Sequence, residues 1–111
     1  MNKITRFRGR LLNVATEVVR LPNGRKKEIE KIIHPGAVLI VPYLNSKTII
    51  LLCQYRPALG KYLYELPAGT LGKREKPNHS AMRELREETG YRARFLKNLG
   101  FIYPAPGYST E

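Results

Sequence analysis

Apolar and polar positions alternate imperfectly through residues 4–20, where Leu11, Leu12, Val14, Val18 and Val19 are the apolar members. That period predicts one or two half-buried β-strands. Leu21-Pro22-Asn23-Gly24 reads as a turn, and residues 25–33 return as another strand, polar on one face. A hairpin this thin needs another sheet or a second subunit to lie on. His34-Pro35-Gly36 breaks the chain. Two near-continuous apolar runs follow, residues 37–44 and 47–55, with Asn45-Ser46 between them. Runs of that kind predict strands covered on both faces, with Cys53 buried in the second. A loop opens at Arg56-Pro57 and lasts through Gly60. Residues 62–66 form a short strand that feeds into Pro67-Ala68-Gly69. A helix is expected from about Asn78 to Thr89, and residues 92–103 read as a last strand before a loop-like tail.

The helix is the most informative segment. Pro77 suits a first helical turn, where its missing N–H is not needed. Gly90 suits the left-handed position just past the end. Glu84, Glu87 and Glu88 are three and four residues apart, so they share one helix face. Ala81, Leu85 and Met82 supply the apolar side expected to pack inward. Like charges at this spacing repel, and a hard divalent cation turns the cost into binding, since such ions take carboxylate and phosphate oxygens. A run such as E-L-R-E-E taken alone is most often a solvated helix face.

Composition alters the picture in one respect. The chain of 111 residues carries 20 Lys and Arg against nine acids, a formal charge of +11. No Asp is present, and four of the nine Glu lie between Glu75 and Glu88. So basic a remainder attracts phosphates, nucleic acid or acidic membranes. The length fits one domain with a small core. A single cysteine excludes an intramolecular disulfide and fits a reducing compartment. No apolar run approaches ~18 residues, so no membrane span is expected. The basic N-terminus lacks the apolar block of a secretory signal, which makes the cytoplasm the expected location.

The spacing G-x5-E-x7-R-E-L-x-E-E-x-G-Y resembles the box that defines the Nudix hydrolases. Gly69, Glu75, Arg83, Glu84, Leu85, Glu87, Glu88, Gly90 and Tyr91 fall on its fixed positions. The flanking pieces H-P-G-A-V, Q-Y-R-P, Y-E-L-P-A-G and Y-P-A-P-G-Y-S-T-E look like the branch that cleaves ADP-ribose and other nucleoside-diphosphate sugars. The resemblance implies an α+β fold: an α/β/α sandwich around a mixed sheet. Residues 1–34 would be an N-terminal strand region that helps to form a homodimer, and residues 35–111 a partial hydrolase domain.

The resemblance also implies roles. The Ala68 carbonyl and the carboxylates of Glu84 and Glu88 would hold Mg²⁺, with Mn²⁺ as the alternative. Glu84, Glu87 and Glu88 would be the catalytic acids. Arg83 and Glu75 would form an ion pair joining helix to loop, and Gly69 and Gly90 would shape the box. Arg56 would contact substrate, because a guanidinium binds phosphate with two bonds or stacks on a base. Glu65 and Glu111 match acidic positions near the substrate. His34 and His79 have no partner at metal-ligand spacing and are read as structural or solvent-facing. Tyr62, Tyr64, Tyr103 and Tyr108 are candidates to stack on adenine, although strand tyrosines are more often half-buried packing residues.

The expected activity is Mg²⁺-dependent hydrolysis of ADP-ribose or a related sugar nucleotide to a nucleoside monophosphate and a sugar phosphate. Alternatives are hydrolysis of another nucleotide or a capped RNA end, and an inactive, basic domain that binds nucleotide or RNA. Nucleic acid is the less favoured partner. The family continues past the position of Glu111 with further strands, a second helix and a loop bearing a catalytic acid. The C-terminal elements are therefore expected to be missing, leaving apolar faces and strand edges exposed.

Overall fold

The computed structural model describes residues 2–111. They form two compact units, one running through Gly36 and taking in Gly100–Glu111, the other Ala37–Leu99.

The first unit is a three-stranded antiparallel sheet of β1 (Lys3–Arg8), β2 (Asn13–Arg20) and β3 (Lys26–Ile32), with β2 in the centre. Its β2–β3 turn uses Gly24 at φ 82°, a conformation open to glycine without a Cβ penalty. Asn23 Oδ1 accepts from the Arg25 N–H at 3.0 Å. Ala15 is wholly buried at the centre of this sheet, and Lys31 pairs with Glu17 on the same face. The C-terminal segment joins β3: Ile32 N–H donates to the Tyr108 carbonyl at 2.7 Å, and Thr110 N–H to the Ile32 carbonyl at 3.0 Å.

The second unit holds six short strands and one helix. They are β4 (Ala37–Leu39), β5 (Tyr43–Asn45), β6 (Thr48–Ile49), β7 (Leu52–Arg56), β8 (Lys61–Glu65), β9 (Ala68–Thr70) and α1 (Pro77–Thr89). The pairs β4–β9, β5–β6 and β7–β8 are all antiparallel. Each of the two long strands expected at residues 37–44 and 47–55 is split in two. Partners change at the breaks, beside Pro42, which has no N–H to give a ladder. The Pro42 carbonyl accepts from Ile50 N–H at 3.0 Å, and Ile40 N–H donates to Pro67 at 2.9 Å.

The expected cover on both faces is absent: Val38 and Ile40 are buried, while Leu39, Leu44, Ile49 and Leu51 are exposed. Cys53 is likewise exposed rather than buried. The register explains it. Leu52, Gln54 and Arg56 share the half-buried face of the β7–β8 hairpin with Leu63 and Glu65, which leaves Cys53, Tyr55, Tyr62 and Tyr64 on the other. Tyr64 is 79% exposed, and Tyr62, Tyr103 and Tyr108 are also exposed, not half-buried. Residues 92–103 form no strand; their alternation finds no covering layer, and Phe95 is 83% exposed.

Helix α1 begins at Pro77 and stops where Gly90 takes φ 78°, its N–H donating to the Arg86 carbonyl at 2.9 Å. It packs on β9 and β4, with Leu85 buried between them and Ala81 beside it. Met82 does not join this contact and is exposed. Among the described residues no helix is long and apolar enough to cross a membrane.

Candidate functional site

Strand β9 is the floor of the site. A Cβ added to Gly69 would lie 2.0 Å from Glu84 Cδ, 2.3 Å from its Oε1 and 2.5 Å from its Cγ. The Glu84 side chain therefore occupies the space that any larger residue at 69 would fill. One turn along the helix, Glu88 Oε2 accepts from the Ala68 N–H at 3.3 Å. Two carboxylates from α1 are thus set against two consecutive residues of β9. Glu84 is 13% exposed at its side chain, whereas Glu87 is 58% exposed and turns to the helix margin.

Arg83 gathers the remaining acids. Its Nε and Nη2 donate to Glu75 Oε2 and Oε1 at 2.8 and 2.9 Å, a two-pronged ion pair. Its Nη1 donates to Glu84 Oε1 at 2.9 Å and to Glu87 Oε2 at 3.1 Å. Glu75 Oε1 also accepts from the Gly72 N–H at 2.9 Å, which ties the loop after β9 to the helix. Arg56 Nε and Nη2 donate to Glu65 Oε2 and Oε1 at 2.7 and 2.6 Å, so these two residues hold each other. Glu111 lies in the other unit, where its N–H donates to Ser109 Oγ. His34 caps the break before β4, its Nδ1 accepting from Gly36 N–H at 2.9 Å.

The charges are coupled. Burial pushes the Glu88 carboxyl above its ordinary range; the Ala68 N–H opposes this and the Glu84 charge adds to it, with Arg56 and Glu65 acting in opposite directions. Arg56 holds Glu65 below the usual range, foremost through their hydrogen bonds. Arg83 foremost, and then the Gly72 N–H, bring Glu75 from 4.5 down to about 2.

A depressed folded-state carboxyl stabilises above its unfolded pKa and loses that contribution as pH falls through the folded value. Here the window runs from about 4.5 down to about 2. We expect Glu75→Gln to be less stable than wild type at neutral pH and to lose less further stability across that acid window. Melting curves at stepped pH check this, and parallel slopes for the two proteins would contradict it.

Among the described residues no group of three or more His, Cys, Asp or Glu converges as a ready metal cage. What the site offers is the two carboxylates of Glu84 and Glu88, both hard oxygen donors. Only one oxygen of Glu84 and one of Glu88 has a protein donor among the described residues, leaving the other on each side chain available.

The model of the NUDIX domain matches residues 33–111. The chain is 40% identical over 105 residues to an ADP-ribose pyrophosphatase of Bacillus subtilis (strain 168), covering 95% of this chain and 57% of that protein. It is equally similar, 40% over 105 residues with the same coverage, to a methanol dehydrogenase activator of Bacillus methanolicus. A crystal structure of an ADP compounds hydrolase, 30% identical, superposes with a TM-score of 0.80 over 98% of this chain and 60% of that one. The chain thus spans little more than half the length of these relatives. The shared architecture is the α+β one expected from the sequence.

Proposed function

This chain belongs to the NUDIX domain family, and from that premise we propose that the whole protein hydrolyses the pyrophosphate of ADP-ribose or a related nucleoside-diphosphate sugar, with a divalent cation. The products are a nucleoside monophosphate and a sugar phosphate. The observation that carries the reading is the seating of Glu84 on Gly69 with Glu88 beside Ala68. The names of two of the similar proteins, an ADP-ribose pyrophosphatase and an ADP compounds hydrolase, support the substrate class.

In the reaction a water oxygen bonds to one phosphorus, the bridging P–O bond breaks, and the bridging oxygen leaves with the other phosphate. The chain's part is to hold the diphosphate and stabilise charge on it. The free oxygens of Glu84 and Glu88 and the Ala68 carbonyl suit a hard cation such as Mg²⁺, or Mn²⁺ in its place. Such an ion, when bound, offsets charge on the phosphate oxygens and lowers the pKa of a bound water. Arg83 keeps Glu84 and Glu87 oriented on the helix and is itself anchored by Glu75. Glu87 completes the acidic turn as the third catalytic acid. Arg56 contacts the organic part of the substrate through its guanidinium face or its Nη1, while Glu65 takes its Nε and Nη2 and fixes the guanidinium plane.

We expect the full-length protein to prefer ADP-ribose over dGTP and ATP by about tenfold or more in kcat/KM. A factor of ten needs only about 1.4 kcal/mol of differential transition-state binding. Arg56→Ala should shrink that ratio and leave cation affinity nearly intact. Preference for a triphosphate, or an unchanged ratio in Arg56→Ala, would overturn the assignment of substrate class.

A further inference from the structure

The outward face of α1 carries basic side chains, His79 and Arg86, that the proposed hydrolysis does not use. His79, Met82, Arg83 and Arg86 follow the i, i+3, i+4, i+7 spacing of one helix face. Ala81, Glu84, Leu85 and Glu88 occupy the opposite face, against β9 and β4. With Glu87 and Arg92, the outward residues line a groove of ≈780 Å³.

Three arginines line this groove against one carboxylate, and that carboxylate, Glu87, already accepts from Arg83. Arg83 is engaged by Glu75, Glu84 and Glu87. The side chains of His79, Arg86 and Arg92 are exposed and make no ion pair or hydrogen bond among the described residues. Exposed arginines near the catalytic acids would ordinarily be drawn into the acidic network. Here Glu84 and Glu88 face the other way, so two guanidinium forks remain with all their donors available. A guanidinium matches a phosphate with two parallel bonds. Met82 adds an apolar surface between the cations, suited to a flat organic group.

We infer that this groove is a second binding site, independent of metal, for an organic phosphate of nucleotide size, held by Arg86, Arg92 and His79. Glu84 and Glu88, the acids proposed to bind a cation, do not line it, although Glu87 and Arg83 do, so its occupancy does not require the cation.

The test titrates a fluorescent ADP analogue into full-length protein in excess chelator, where cation-dependent binding is suppressed. Saturable binding is expected, weakening as salt rises because the contacts are exposed charges. The double variant Arg86→Glu/Arg92→Glu should bind about tenfold or more weakly, since it removes charge-assisted bonds and adds repulsion. Arg86→Gln/Arg92→Gln, which reverses no charge, should weaken binding in the same direction by a smaller factor. Glu84→Gln should bind as wild type does in chelator, whatever it does to hydrolysis. Absence of saturable binding in chelator would overturn the inference, as would wild-type affinity in both double variants. Displacement of the analogue by single-stranded RNA at far lower concentration than by ADP would overturn the small-ligand class.

Discussion

Glu84→Gln and Glu88→Gln should each lower the turnover of ADP-ribose by the full-length protein by about 10²–10³-fold, the scale on which loss of one preorganised electrostatic stabiliser is felt. The substitution keeps shape and one acceptor oxygen but removes the anionic charge a hard cation requires. Stability separates this effect from misfolding. The Glu88 carboxyl is pushed upward by burial and by the neighbouring Glu84. Its ionised form is therefore disfavoured in the folded state, and that cost is present at neutral pH and relieved as pH falls. Glu88→Gln should thus melt no lower than wild type in chelator, and higher if anything, while losing activity. Activity within a factor of two of wild type in both variants would remove these acids from the chemistry.

Gly69→Ala should approach the same loss of activity by a different route. The added methyl would meet Glu84 Cδ at 2.0 Å, far inside contact distance. The clashing atoms, Cγ as well as Cδ and Oε1, all belong to the Glu84 side chain, so the backbone can stay and Glu84 must swing away. Displacing a functional group by about 1 Å can cost roughly 10²-fold in rate. Arg83 would have to follow or surrender its bond to Glu84. We expect kcat to fall about 10²-fold with only a small change in melting temperature. A large drop in melting temperature would instead mean that Gly69 serves the β4–β9 pairing. An alanine variant with normal kcat would show that the position of Glu84 does not matter.

Helix α1 was legible because local rules govern it, proline at the start and glycine at the stop, and helical spacing brought Glu84 and Glu88 together, whereas Glu87 turns away to the outward groove. The N-terminal strands were legible for the same reason, through alternation punctuated by Asn23-Gly24. What escaped depends on partners distant in the chain. Alternation does not encode the change of partner beside Pro42, so two predicted strands proved to be four. Strand β9 has three residues, two of them alanine and glycine, and no period can be read from it. Yet it is the element that brings Gly69 under Glu84. The bond between Arg56 and Glu65 follows from the register of β7 on β8, which sets both on the half-buried face. The same register puts Cys53 and the tyrosines on the exposed face. The apolar residues of 92–103 satisfy a strand pattern, but no strand forms there. Met82 was misplaced because it sits three residues from Leu85 while belonging with His79 and Arg86.

The most direct test of the account is Mn²⁺ binding to full-length protein, followed by electron paramagnetic resonance in the absence of substrate. The ion reports on the two carboxylates without requiring turnover. Saturable binding to the wild type, lost in Glu84→Gln/Glu88→Gln and weakened in Gly69→Ala, is the predicted result. Undiminished Mn²⁺ binding by Glu84→Gln/Glu88→Gln would contradict it.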